Sequence, residues 1–107
     1  MKRGDIWWVA LDPGQGSEIK KTRPCVVLTN NTLNRLRKTV VVVPLSTAAK
    51  PHPPITVPVT CQGRPAVAVI DQVQSVAKHR LQSRVESLSP EDLETITTAL
   101  STILEIR

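Results

Sequence analysis

Four consecutive valines, Val40 to Val43, restrict the fold of this chain more than any other feature. Branching at Cβ stiffens each side chain and suits it to a pleated strand rather than a helix. The segment Thr39–Thr47 is therefore expected as a strand. Other short apolar runs surround it, and no internal repeat or linker divides the chain, so 107 residues form one domain with one modest core. The core has to be aliphatic. Phe and Tyr are absent, and the 2% aromatic content is Trp7 and Trp8 alone.

In chain order, Asp5–Leu11 reads as the first strand, with Asp12-Pro13-Gly14 as its turn. Alternation puts Ile6, Trp8 and Ala10 on one face and Trp7, Val9 and Leu11 on the other. Both faces are apolar, so cover is expected on both sides, by the core and by either a loop or a second subunit. A polar loop follows, and Pro24–Thr29, continuously apolar, is a central buried strand. The basic segment 30–38 is a connection with about one helical turn. Residues 48–54 hold three of the nine prolines and form a surface loop. Ile55–Val59 alternates, but Pro58 relegates it to a sheet edge. Gln62–Pro65 is a turn, Ala66–Ile70 a buried strand, and 71–76 a partly alternating continuation. Ser89 as N-cap, Pro90 at the first helical position, and Glu91 and Asp92 in the first turn open a long helix. Its apolar stripe is Leu93, Ile96, Leu100, Ile103 and Leu104. Five or six short strands closed by one helix imply a mainly β, α+β fold: a small, partly open barrel.

Charge narrows the function. The net charge is +5 and the pI about 9.8, which suits a polyanionic partner, above all a nucleic acid. No apolar stretch reaches the roughly 18 residues that suggest a membrane span. The N-terminus lacks the features of a signal peptide, so a cytoplasmic protein is expected. Cys25 and Cys61 fit inert, reduced thiols. Too few Cys and His are present to build a zinc cluster.

The loop Gly14–Thr22 carries Lys20 and Lys21 and runs into Arg23-Pro24, where the buried strand begins. Proline biases Arg23 to extended backbone, fixing a cation at a strand entrance. A planar guanidinium there matches phosphate oxygens and stabilises negative charge developing on phosphorus. Ser46 and Thr47 end the valine strand; hydroxyls at such ends line sites or simply terminate strands. Glu18 is either a proton acceptor or a partner of Lys20 or Lys21. His52 and His79 are isolated, and Cys25 is core packing.

Together, Arg3-Gly4-Asp5-Ile6-Trp7-Trp8, Leu11-Asp12-Pro13, Gly16-Ser17-Glu18 and Thr22-Arg23-Pro24 closely resemble the opening of the MazF/PemK toxins. Val43-Pro44-Leu45-Ser46-Thr47, Asp71-Gln72-Val73-Gln74-Ser75-Val76 and the final helix extend the resemblance over essentially the whole chain. It implies an SH3-like barrel, a homodimer, and a metal-independent, cofactor-free endoribonuclease. Such an enzyme cuts single-stranded RNA sequence-specifically, leaving 2′,3′-cyclic phosphate and 5′-hydroxyl ends. The partner implied is an acidic antitoxin, and DNA is reached only through the toxin–antitoxin complex. By the same resemblance Arg23 is the catalytic arginine and Glu18 a proton-transfer helper. Ser46 stands where many members have threonine, with Thr47 the adjacent alternative. Lys20, Lys21 and Gln72 would contact RNA, with Arg35, Arg37 and Lys50 as further groove walls. The other function on this fold is non-enzymatic poisoning of gyrase through the C-terminal helix, with no arginine pocket.

Overall fold

The computed structural model describes residues 1–11 and 22–106. Seven antiparallel strands and two helices run in the order β1 (Asp5–Ala10), β2 (Thr22–Val27), α1 (Asn31–Leu36), β3 (Thr39–Ser46), β4 (Thr56–Cys61), β5 (Arg64–Val69), β6 (Gln74–Ala77), β7 (Leu81–Ser87) and α2 (Pro90–Leu104). Single 3-10 turns lie at Ile70–Gln72 and Lys78–Arg80.

The valine strand is the hub. Its first half pairs with β6, Thr39–Val42 against Gln74–Ala77, and its middle with β2. Beyond Pro44 it turns to β5, pairing Leu45 with Ala68 and Ser46 with Val67. Proline has no N–H to donate, and Pro44 falls in the gap between β6 and β5, where no donor is needed. The sheet order is β4-β5-β3-β2-β1-β7, with β6 beside β3. The sheet stays open, and β4 is an edge strand with Pro58 exposed in it, as its proline requires. Its end nonetheless meets β7, where the Gln62 N–H donates to Glu86 Oε2 at 2.6 Å.

Two apolar clusters occupy opposite faces of the central strands. One gathers Ile6, Val26, Val43, Leu45, Val57, Ala68 and Ile70 under Leu88, Ile96 and Ala99. The other holds Val9, Cys25, Val27, Val40 and Val42 with Val76 and Leu81, flanked by Trp7 and Leu11. Burying each such aliphatic side chain contributes about 1.5–3 kcal/mol, so apolarity on both faces of these strands supplies the absent aromatic mass. At the junction of sheet and helix, Gly4 has a φ of +90°, and a Cβ there would lie 3.3 Å from Leu93 Cδ2. Its N–H donates to the Val27 carbonyl, and its own carbonyl accepts from Leu88 N–H.

Helix α2 begins as its sequence dictates: Ser89 Oγ accepts the Asp92 N–H, and Pro90 opens the first turn. Leu93, Ile96, Leu100 and Ile103 face the core together with Ala99. Leu104, expected in that stripe, is 52% exposed because the last turn has passed the core. Two further departures from the sequence reading appear. Arg64 and Pro65 begin β5, so the turn is only Gln62-Gly63, both at positive φ. The segment after Val76 contains an unanticipated strand, β7. Arg84 lies on that strand, and Arg80 in a 3-10 turn with its Nη1 donating to the Ala10 carbonyl at 3.2 Å.

Candidate active site

The open end of the curled sheet leaves a cavity of about 430 Å3, within the range of small-ligand sites. Its floor is apolar, with Pro24, Leu45, Ala66 and Val85. Polar and basic groups ring it: Arg23, Ser46, Thr47, Gln62 and Arg64, with Trp8 beside them.

Register brings Arg23 and Ser46 together. Strands β2 and β3 pair up to Cys25 with Pro44; Arg23 and Ser46 lie two residues beyond that last pair on their strands, and both line the cavity. Extended backbone before Pro24 puts Arg23 in β2, paired with Val9 of β1. Among the described residues its guanidinium has no acidic partner.

Ser46 is held firmly. Its Oγ accepts the N–H groups of both Ala48 and Ala49, each at 3.1 Å. These two bonds fix the rotamer that a threonine methyl would otherwise restrict. They occupy the oxygen's acceptor sites and leave the O–H to donate into the cavity. Thr47 is exposed, and its hydroxyl has no partner among the described residues.

Trp8 is 39% exposed, so the described residues of this one chain do not supply the outer cover, a loop or a second subunit, expected for β1. Two irregularities in the β1–β7 pairing explain this. The register slips between Ile6 and Trp7 and again between Trp8 and Val9, leaving Val85 and Gln82 of β7 without partners. Such bulges turn side chains at a sheet's rim, and here they leave an indole in the cavity wall. Arg64 was also missed as a site residue. Its signal was in the chain, since Arg64-Pro65 repeats the Arg23-Pro24 pattern of a cation at a strand's first turn of backbone.

The thiols are passive. Burial pushes Cys25 up to about 12 despite the opposing charge of Arg23. Burial also raises Cys61 on the cavity wall, and the neighbouring Glu86 adds to the shift. Neither is a thiolate near neutral pH.

Several expected RNA contacts lie away from this cavity. Gln72 is exposed in a 3-10 turn, and Lys50 sits in the loop before β4. Arg35 is on α1, bonded to the Asn31 carbonyl, and Arg37 caps that helix. None of the four lines the cavity, nor do His52 and His79. Glu18, Lys20 and Lys21 lie outside the described residues. Among the described residues no three His, Cys, Asp or Glu side chains gather in a metal-ligand group, and no helix is long and apolar enough to cross a membrane.

Known proteins resemble this chain over nearly its whole length. The family of PemK-like, MazF-like toxins of type II toxin-antitoxin systems matches residues 2–104. The endoribonuclease toxin MazF of Escherichia coli K12 is 34% identical over 94% of this chain and 91% of its own. Endoribonuclease MazF9 of Mycobacterium tuberculosis is 36% identical, covering 99% and 98%. Among solved structures, a mycobacterial endoribonuclease in complex with its cognate antitoxin superimposes with a TM-score of 0.81 at 25% identity, over 100% of this chain and 97% of that one. The chain belongs to the PemK-like, MazF-like toxin family of type II toxin-antitoxin systems.

Proposed function

We propose that this endoribonuclease toxin cuts single-stranded RNA without a metal, sequence-specifically, and thereby stops translation. In the step proposed, the 2′-oxygen bonds to the adjacent phosphorus and the bond to the 5′-oxygen breaks. A 2′,3′-cyclic phosphate and a 5′-hydroxyl result. The 2′-hydroxyl proton passes to a base, and the leaving oxygen gains a proton.

The observation that carries this reading is an arginine without an acidic partner among the described residues, sharing a cavity with a hydroxyl held by two amides. Arg23 would meet the charge that grows on the non-bridging oxygens, where a fixed cation is most effective. Ser46 would donate its proton to the same oxygens; its preorganisation by two amides means little motion is needed during reaction. Thr47 would be an auxiliary donor. Glu18 is proposed as the proton acceptor, with Lys20 and Lys21 gripping the backbone. Gln72, Arg35, Arg37 and Lys50, all outside the cavity, would touch RNA only further along its path.

An acidic antitoxin segment would compete for the same cations, and the antitoxin complex of the mycobacterial relative supports such a partner. A homodimer is part of the proposal. Leu33 and Leu36 on α1, 41% and 73% exposed, provide apolar surface that a second subunit would cover. The test is incubation with single-stranded RNA in EDTA, beside supercoiled DNA with gyrase. RNA cleavage by the wild type and its loss in Arg23→Ala are expected. Intact RNA with inhibited gyrase would replace this function with the non-enzymatic one.

A further inference from the structure

A second cavity, also about 430 Å3, adjoins the active site. Arg64 and Pro65 line both cavities. The second is otherwise bounded by the edge strand and its turn, including Pro58, Thr60 and Gly63, and by Asp92 of α2. Its walls are mostly flat and apolar, with one carboxylate. Asp92 Oδ2 accepts the Thr60 N–H at 2.8 Å, which fixes the carboxylate's orientation. No hydrogen bond engages Oδ1 among the described residues. The Arg64 guanidinium has no acidic partner among the described residues either.

We propose that this second cavity is a nucleotide subsite of the RNA substrate, and that Asp92 selects the base seated in it. The inference rests on the ribonuclease reading above and extends it to specificity. A strand whose scissile phosphate lies against Arg23 and Ser46 continues past Arg64, which holds the next phosphate. The following base then lies in the open Pro58–Pro65 groove, its edge toward Asp92. A fixed carboxylate repels phosphate, so the group it meets is a base edge. It accepts hydrogen bonds from the amino groups of adenine, cytosine or guanine. Uracil presents one N–H flanked by two carbonyl oxygens, and their lone pairs oppose the carboxylate. Asp92 is thus a specificity residue favouring amino-bearing bases over uracil.

The experiment uses a short RNA library randomised around the cut, with 5′-end sequencing of the products. A copy carrying deoxyribose at every 2′ position of the randomised window cannot be cut and reports binding alone. Uridine should be depleted at one fixed position close to the cut. Asp92→Asn keeps an oxygen for the Thr60 N–H but adds an amide donor that uracil can accept. It should raise the uridine share there by roughly tenfold or more in both libraries. Arg64→Gln should weaken binding evenly across sequences and reduce the salt dependence by about 0.7 in log–log slope. Thermal melting checks that both variants fold. If RNA is cut but the Asp92→Asn profile matches the wild type, the base subsite is overturned. An unchanged salt slope in Arg64→Gln removes the phosphate contact. RNA that the wild type neither cuts nor binds overturns the ribonuclease reading itself, and this subsite with it.

Discussion

Strand β1 has an arginine on either side, and the two live differently. On β7, Arg84 pairs with Trp7 in register and its Nε lies 3.3 Å from Asp5 Oδ1. On β2, Arg23 pairs with Val9 and has no acid near it among the described residues. Asp5 is almost fully buried and organises its end of the strand. It accepts from the Lys2 N–H at 2.9 Å, from Trp7 Nε1 at 3.5 Å and from Ser87 Oγ at 3.4 Å, while Arg84 Nη2 donates to that serine at 2.7 Å. A cation already satisfied by its own protein stabilises a fold; one that the described residues leave without an acid at a cavity rim can meet an anion from outside. Residue type is the same in both places, and the neighbours decide the role.

Substitutions that break this contrast should separate activity from stability. Arg23→Ala should lower the single-turnover rate on RNA by at least about 100-fold, the scale of losing one fixed charge-stabilising donor. Its urea midpoint should match the wild type, since no ion pair among the described residues is lost. Asp5→Ala should do the reverse. It strands a backbone N–H and an indole N–H, at about 2–3 kcal/mol in chemical denaturation, while the folded fraction cleaves normally. Within the cavity, Ser46→Ala should slow cleavage more than Thr47→Ala, because only Ser46 is preorganised. The opposite order would transfer the donor role to Thr47.

The valine strand, the edge character given by Pro58 and the Ser89-Pro90 helix start were legible because each depends on local stereochemistry. Strand β7 was not, since Gln82, Ser83 and Arg84 are all exposed and its apolar contacts come only from Leu81 and Val85. A strand pairing along one irregular edge leaves no clear alternation. Arg23 and Ser46 could be singled out from strand ends, but their juxtaposition depends on the β2–β3 register. Trp8 was hidden for the same kind of reason: an indole in an apolar run reads as core until two bulges open the sheet beside it. Arg64 could have been found by its own Arg-Pro pair.

Smaller effects follow from protonation. Burial would raise the Asp5 carboxyl, but bonds from Lys2 N–H and Trp7 Nε1 and the Arg84 charge hold it below its ordinary 3.8. A depressed acid contributes stability above its ordinary value and loses it as pH falls through the folded one. Asp5→Asn should therefore flatten the stability loss below about pH 4 seen in urea titrations. Cys25 has the opposite sign. Its thiol, raised from 9.0 to about 12, favours folding fully below pH 9, and the benefit declines as pH rises toward 12. The cost is up to about 1.4 kcal/mol per pH unit in that window, and Cys25→Val should remove it from the difference between midpoints at pH 8.5 and 10.5. Arg84→Ala should be the mildest, under about 1 kcal/mol, because half of that side chain is in water.

The most direct measurement is the chemistry of the RNA ends. Purified protein is incubated with a long mixed-sequence RNA in EDTA, and the products are sequenced from their 5′ ends and probed for phosphate. Cuts at a short recurrent motif, with 5′-hydroxyl and 2′,3′-cyclic phosphate termini that vanish in Arg23→Ala, are predicted. Cleavage that needs added metal, leaves 5′-phosphates, or persists undiminished in Arg23→Ala would contradict a site built on Arg23.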